Sequence, residues 1–145
     1  MANLVAGVDY PILSLGTPQC FQKTIVCSTI TTGAVNWITC INGAAMIVAG
    51  SVETDGTGLA GMTNLVFTTD NASGLLTIFS SAISGLGANK TLALQSGGTT
   101  ACVFPFVLES GKHIKINGTA NPGSGVGVLS LNLDYRILSG APYLL

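Results

Sequence analysis

The sequence predicts an all-β fold, an antiparallel sandwich or jelly roll of about eight short strands. Three observations carry that expectation. From residue 129 to 137, apolar Leu129, Leu131, Leu133, Tyr135 and Ile137 alternate without a break with Ser130, Asn132, Asp134 and Arg136. This is the period of a strand with one face in a core and the other in water. The 19 glycines are spread through the chain among many Thr and Ser residues. The apolar runs between them are short and bounded by turn residues.

In chain order, FQKTIVCSTI (21–30) sets Phe21, Ile25 and Cys27 on one parity and ends in a TTG turn. AVNWITCI (34–41) alternates Val35, Trp37, Thr39 and Ile41 against Asn36, and the two segments read as a hairpin. Asn42-Gly43, flanked by apolar runs, reads as a second hairpin turn leading into AAMIVAGSVE (44–53). TDGTGLAG (54–61) is a loop with an Asp-Gly turn, and TNLVFTT (63–69) is a β-branched, aromatic strand. Residues 70–84 carry two signals. Ser73 can cap a helix with Leu75, Phe79, Ala82 and Ile83 at helical spacing, while Thr77, Ile78 and Phe79 suit a strand; strand or short helical turn is the reading adopted.

TLALQ (91–95), TACVFPFVLE (100–109) and KHIKING (112–118) complete the set before the last strand. Pro105 places an edge or a bulge inside its run, and ESGKH reads as a tight hairpin turn. Gly123, Gly125 and Gly127 precede the final alternation. A dinucleotide-binding glycine turn follows a strand and opens a helix, so glycines that open a strand are not a phosphate cradle. The parity shift between Val126 or Val128 and Leu129 asks for a bulge near Val128.

At 145 residues the chain has the length of one domain. It is 48% hydrophobic and 8% charged, against a usual charged share of about 25%. So uncharged an exterior is expected to be covered by neighbouring subunits or a larger assembly. A net charge of −1, with Lys23, Lys90, Lys112, Lys115 and Arg136 scattered, gives no basic field for nucleic acid. The most apolar window, residues 41–50, is too short for a membrane span and reads as a buried strand. The N-terminus lacks the basic and long apolar regions of a secretory signal, so synthesis in a cytoplasm is expected.

The four cysteines, Cys20, Cys27, Cys40 and Cys102, match no zinc spacing, and the single histidine, His113, is distant in sequence. They are read as small, reduced core residues. His113 shares a parity with Lys115 on the polar side of its strand, with no nucleophile elbow, and reads as an exposed strand histidine. Glu53 and Asp55 form the one close carboxylate pair, but the calcium-loop pattern is incomplete. Trp37, at apolar parity, reads as core. With no catalytic constellation, the chain is expected to be no enzyme and to carry no cofactor and no metal.

The final strand NPGSGVGVLSLNLDYRIL (121–138) and the segment FVLESGKHIKI (106–116), in a weakly charged chain of this size, resemble the small decoration or cement proteins of tailed bacteriophages. The resemblance is one of style across the whole chain and transfers no residue roles. It implies binding to the outside of an icosahedral shell, on the virion surface. There such a protein bridges neighbouring major capsid subunits, as a homo-oligomer, with a trimer ahead of a dimer. Two other classes stand beside it: a carbohydrate- or receptor-binding β-sandwich of a tail or fibre, marked by exposed aromatics or a calcium loop, and a cupin-like hydrolase or lyase, which needs several histidine ligands.

The chain ends are expected to frame a single domain over residues 1–145, as an N-terminal arm (about 1–16) and a short C-terminal tail (about 139–145). Both carry apolar residues without strand alternation. Leu4, Val5, Tyr10, Ile12, Leu13, Tyr143, Leu144 and Leu145 are the candidate interaction residues. Pro11 and Pro142 suit extended arms. The alternative is that these residues cover the open end of their own sandwich.

Overall fold

The computed structural model describes residues 18–55, 64–72, 76–82, 88–94, 101–118 and 127–145. The N-terminal arm, most of the 54–61 loop, Ser73, Leu75, Gly123, Gly125 and Val126 lie outside the described residues. The strands are β1 (Gln19–Val26), β2 (Val35–Thr54), β3 (Asn64–Thr69), β4 (Leu76–Ala82), β5 (Thr91–Leu94), β6 (Ala101–Cys102), β7 (Phe106–Leu108), β8 (His113–Gly118) and β9 (Val128–Leu144). All their pairings are antiparallel. The main order is β1-β9-β2-β8-β3-β4-β6, with β5 and β7 also on β2. The all-β antiparallel class read from the sequence is the class observed, and residues 70–84 contain a strand, β4.

The strands are less uniform than expected. β2 has 20 residues and β9 has 17, and these two pair along nearly their whole length. β8, β7 and β5 follow one another along the opposite edge of β2. β2 therefore belongs to two half-sheets. Its first part pairs with β8 and leads on to β3, β4 and β6, and its second part carries β5, β7, β9 and β1.

Three expected hairpins are corrected by this pairing. β1 pairs with β9 from Gln19↔Tyr135 to Val26↔Val128, not with the start of β2. The two meet through side chains instead: Lys23 Nζ donates to the Trp37 carbonyl at 2.7 Å, and Trp37 Nε1 donates to the Thr24 carbonyl at 3.4 Å. Asn42-Gly43 does not reverse the chain but lies inside β2. The segment 106–116 is no hairpin either, because β7 and β8 both run antiparallel to β2, end to end. Between them, Cys40 donates its N–H to the Lys112 carbonyl and accepts from Gly111 N–H, so the ladder continues across the turn.

One line of left-handed backbone accompanies the second and third of these corrections. Asn42 (φ 65°), Gly43 (φ 153°), Gly111 (φ 77°) and Gly140 (φ 69°) stand at corresponding points of the three adjoining strands. Gly43 pairs with Gly140 and donates its N–H to Ser110 Oγ at 3.3 Å. The three strands turn together there instead of ending, as β-bulges allow. By contrast the start of β9 pairs regularly, Val26↔Val128 and Ile25↔Leu129, so the bulge expected at Val128 is absent from it. Pro105 falls between β6 and β7 and splits its apolar run in two.

The core is drawn from both half-sheets. Ile38, Ile47, Val52, Leu65, Phe67, Ile114, Ile116, Leu129 and Leu131 are buried, and so is Trp37, as its parity indicated. The alternation in β9 is observed from Leu129 to Tyr135, with Leu129, Leu131, Leu133 and Tyr135 inward, while Ile137, read on the same face, is only partly buried next to a register shift. Each such side chain contributes about 1.5–3 kcal/mol of burial. Phe67, Ile78 and Ile114 from one half-sheet, and Leu94, Leu131 and Leu133 from the other, line a cavity of ≈ 10 Å³. A space so small, with an apolar lining, stays dry and takes no ligand.

Candidate functional site

The densest polar arrangement among the described residues is where the chain leaves β3. Pairing of β3 with β8 puts Thr69 beside Ile114, which carries Asp70 up to His113. Asp70 Oδ1 accepts from the His113 backbone N–H at 2.6 Å, and Oδ2 lies 2.8 Å from His113 Nδ1 and 3.7 Å from Lys115 Nζ. The next residues continue the latch. Asn71 Nδ2 donates to the Val107 carbonyl, Asn71 Oδ1 accepts from Glu109 N–H, and Glu109 Oε2 accepts from Ala72 N–H. His113 is thus half-buried and hydrogen-bonded to Asp70, and not the exposed strand histidine expected. Sequence reading missed Asp70 because only the β3–β8 pairing joins the two; its sole local sign was a turn-type Asp-Asn after a strand.

Burial pushes the Asp70 carboxyl up, but hydrogen bonds from the backbone and ring of His113, with the charges of His113 and Lys115, outweigh it and hold the group below its usual range. A carboxyl depressed by folding contributes stability above its unfolded pKa and loses it as pH falls through the folded one. Wild type is therefore expected to lose stability more steeply than Asp70→Asn below about pH 4, the ordinary carboxylate range. Thermal unfolding at pH 7, 5, 4 and 3 checks this; identical pH slopes would count against it.

Of the cysteines, Cys20, Cys27 and Cys40 have described side chains, and none of these three is an activated nucleophile. Burial, with a smaller push from the charge of Asp55, raises Cys27 to about 11, and burial raises Cys40. Cys20, expected in the core, is exposed, and its thiol donates to Asp134 Oδ1 at 3.3 Å, which raises it too. A raised thiol is the less reactive form. Among the described residues no three His, Cys, Asp or Glu side chains gather in a way that could hold a metal, and no helix is long and apolar enough to cross a membrane.

What the described surface offers instead is apolar and weakly charged area. Val26, Val103, Val107, Leu138, Tyr143 and Leu145 are the large hydrophobics left exposed. Of the candidate interaction residues, Leu4, Val5, Tyr10, Ile12 and Leu13 lie outside the described residues. The C-terminal ones divide. The expected tail is the end of β9, where Tyr143 pairs with Ile41 and Leu144 with Cys40. Leu145 exchanges two backbone hydrogen bonds with Thr39. Tyr143 and Leu145 are 43% and 51% exposed, while Leu144 is 6% exposed and part of the core. The alternation of a strand was there in Ala141 to Leu145, hidden by Gly140 and Pro142.

Leu144→Ala is accordingly expected to cost about 2–4 kcal/mol of stability, and Tyr143→Ala less than about 0.5 kcal/mol. Chemical denaturation of the two variants checks the split; equal losses would contradict it.

The fold is all-β and antiparallel, and its described surface leaves six large hydrophobic side chains exposed. Comparison with protein-family models finds no match, and neither does comparison with curated proteins. Among solved structures, the chain is similar in fold to a chain of the acid-stable capsid structure of Helicobacter pylori bacteriophage KHP30. The TM-score is 0.55 at 13% identity, covering 89% of this chain and 93% of that one.

Proposed function

We propose that this protein is a structural component of a phage virion, a decoration or cement protein. It binds the outer surface of the shell and stabilises it by bridging major capsid subunits. The observation that carries the reading is the likeness in fold to a chain of a phage capsid structure over nearly the full length of both chains. The 8% charged composition and the exposed Val107, Leu138, Tyr143 and Leu145 support it, since apolar area left uncovered on one chain is what an assembly covers. In this role the chain works by contact, as a homo-oligomer, without catalysis, cofactor or metal.

The test is to purify intact particles from cells that make this chain together with the shell proteins, and to identify their components by mass spectrometry. The chain is expected in the particles at a fixed ratio to the major capsid protein. It is also expected on their outside, where protease reaches it while the shell stays closed. Its absence from particles overturns the virion role; its presence only inside overturns the decoration role.

A further inference from the structure

The outward face of the β1–β9–β2–β7 half-sheet carries an apolar strip with one acid and one base at its edge. Because cross-strand partners share a face, the pairings Val107↔Met46 and Met46↔Arg136 put those three side chains in one row. The flanking pairs are Ala49↔Asp134 and Ala44↔Ser139. Their neighbours Ala45, Ile47, Leu133 and Tyr135 are buried, which confirms that this set points away from the core. Beyond Asp134 the same face continues as Asn132, Ser51 and Gln22. Its far end, Ser130 opposite Glu53, adds one more exposed carboxylate.

Arg136 is the anomaly on it. Its Nε is buried from solvent and has no hydrogen-bond partner, although guanidinium donors are rarely left unpaired and a buried one is costly. Among the described residues no carboxylate forms an ion pair with it. Two positions along the same strand, Asp134 is exposed, and the hydrogen-bond partner the structure gives it is the Cys20 thiol, a weak donor. The chain thus holds an acid and a base on one face, near each other and not paired with each other.

We infer that this face is a two-fold contact between copies of the chain, closed by reciprocal Arg136–Asp134 ion pairs. The charge pattern selects a second copy as the occupant. A two-fold axis lying in the plane of the contact and crossing β9 at Tyr135 sets the two β9 strands antiparallel, face to face. Positions 134 and 136 then exchange, so that Arg136 meets Asp134 of the partner subunit, and the converse pair forms on the other side of the axis. An isologous contact needs such self-complementarity, and residues i and i+2 of opposite charge on a strand supply it. The strip of Met46, Val107, Ala44 and Ala49 supplies the apolar area between the charges. This contact rests on the homo-oligomer of the proposed function and gives it one geometry; it is tested without a shell, so oligomers indifferent to Asp134→Arg overturn the contact alone, while absence from particles overturns the virion role alone.

The experiment is sedimentation equilibrium of the full chain across nanomolar to micromolar concentration. Wild type is expected to show two-chain mass. Asp134→Arg and Arg136→Asp should each raise the dissociation constant about tenfold or more, by removing two charge pairs and creating like-charge contacts. Two recoveries are specific to the proposed geometry. The double variant Asp134→Arg/Arg136→Asp should dimerise about as well as wild type, and an equimolar mixture of the two single variants should form a mixed dimer. Asp134 is exposed, so its variant tests the contact even if the Arg136 variant folds poorly. Monomeric wild type, oligomers indifferent to Asp134→Arg, or a double variant that fails to recover would each overturn the contact.

Discussion

Gly43→Ala is expected to destabilise the fold by about 3 kcal/mol or more, lowering the thermal midpoint by roughly 10 °C for a domain of this size. Two effects act together. A Cβ at Gly43 would stand 2.1 Å from the backbone oxygen of Ser139, and φ at this residue is +153°. The first is a backbone clash that no rotamer change relieves; the second is a conformation that L residues rarely adopt. Facing it, a Cβ at Gly140 (φ +69°) would stand 2.5 Å from the backbone oxygen of Asn42. The long strands approach so closely here that neither can carry a side chain. Gly111→Ala is the control, because φ is +77° but a Cβ there would meet nothing within 4 Å. It should cost about 1 kcal/mol, from backbone strain alone. Equal losses at Gly43 and Gly111 would remove the close approach as the cause.

That junction also marks how far the fold was legible in the sequence. The alternation from Leu129 to Ile137 identified the main strand and its buried face, because period two against a core is a local signal. Asn42-Gly43 was legible too, as two residues suited to positive φ. What the chain does with positive φ is not local. The same dipeptide reverses a two-stranded hairpin or bends a strand that neighbours hold on both sides. Here β9 and the β7–β8 segment hold β2 on both edges, and bending is the outcome.

The failed pairing of β1 has the same origin. Both candidate partners, β2 and β9, offered a matching apolar parity, and nothing in Phe21 to Val26 distinguishes them. The Asp70–His113 pair was illegible for a related reason. It joins residues 43 positions apart, and neither has a distinctive neighbour. Arg136 and Asp134 were visible as the polar members of the alternation, but only the missing partner of Nε singles them out.

Phe67→Ala is expected to cost about 3–5 kcal/mol, the range for removing a buried aromatic ring. Phe67 is 1% exposed, in the central strand of its half-sheet. Its ring centroid lies 5.7 Å from that of Trp37 at an interplanar angle of 39°, a tilted contact that adds roughly 0.5–1.5 kcal/mol beyond area. The cost falls at the upper end when the walls cannot close on the void. The walls here are backbone-paired strands. β3 is held between β4 and β8, and Leu131 and Leu133, across the cavity, lie in β9 between β1 and β2. The truncated ring would enlarge a cavity already lined by Ile78, Leu94, Phe104, Phe106 and Ile114, and an apolar void of that kind stays empty of water. Phe67→Leu, which keeps most of the volume, should lose no more than about 1.5 kcal/mol. Urea denaturation of both variants at pH 7, with unchanged slopes, measures the pair. A loss below about 1 kcal/mol for Phe67→Ala would mean that the two half-sheets can move together, and that the bend at Gly43, Gly111 and Gly140 is a hinge and not a fixed corner.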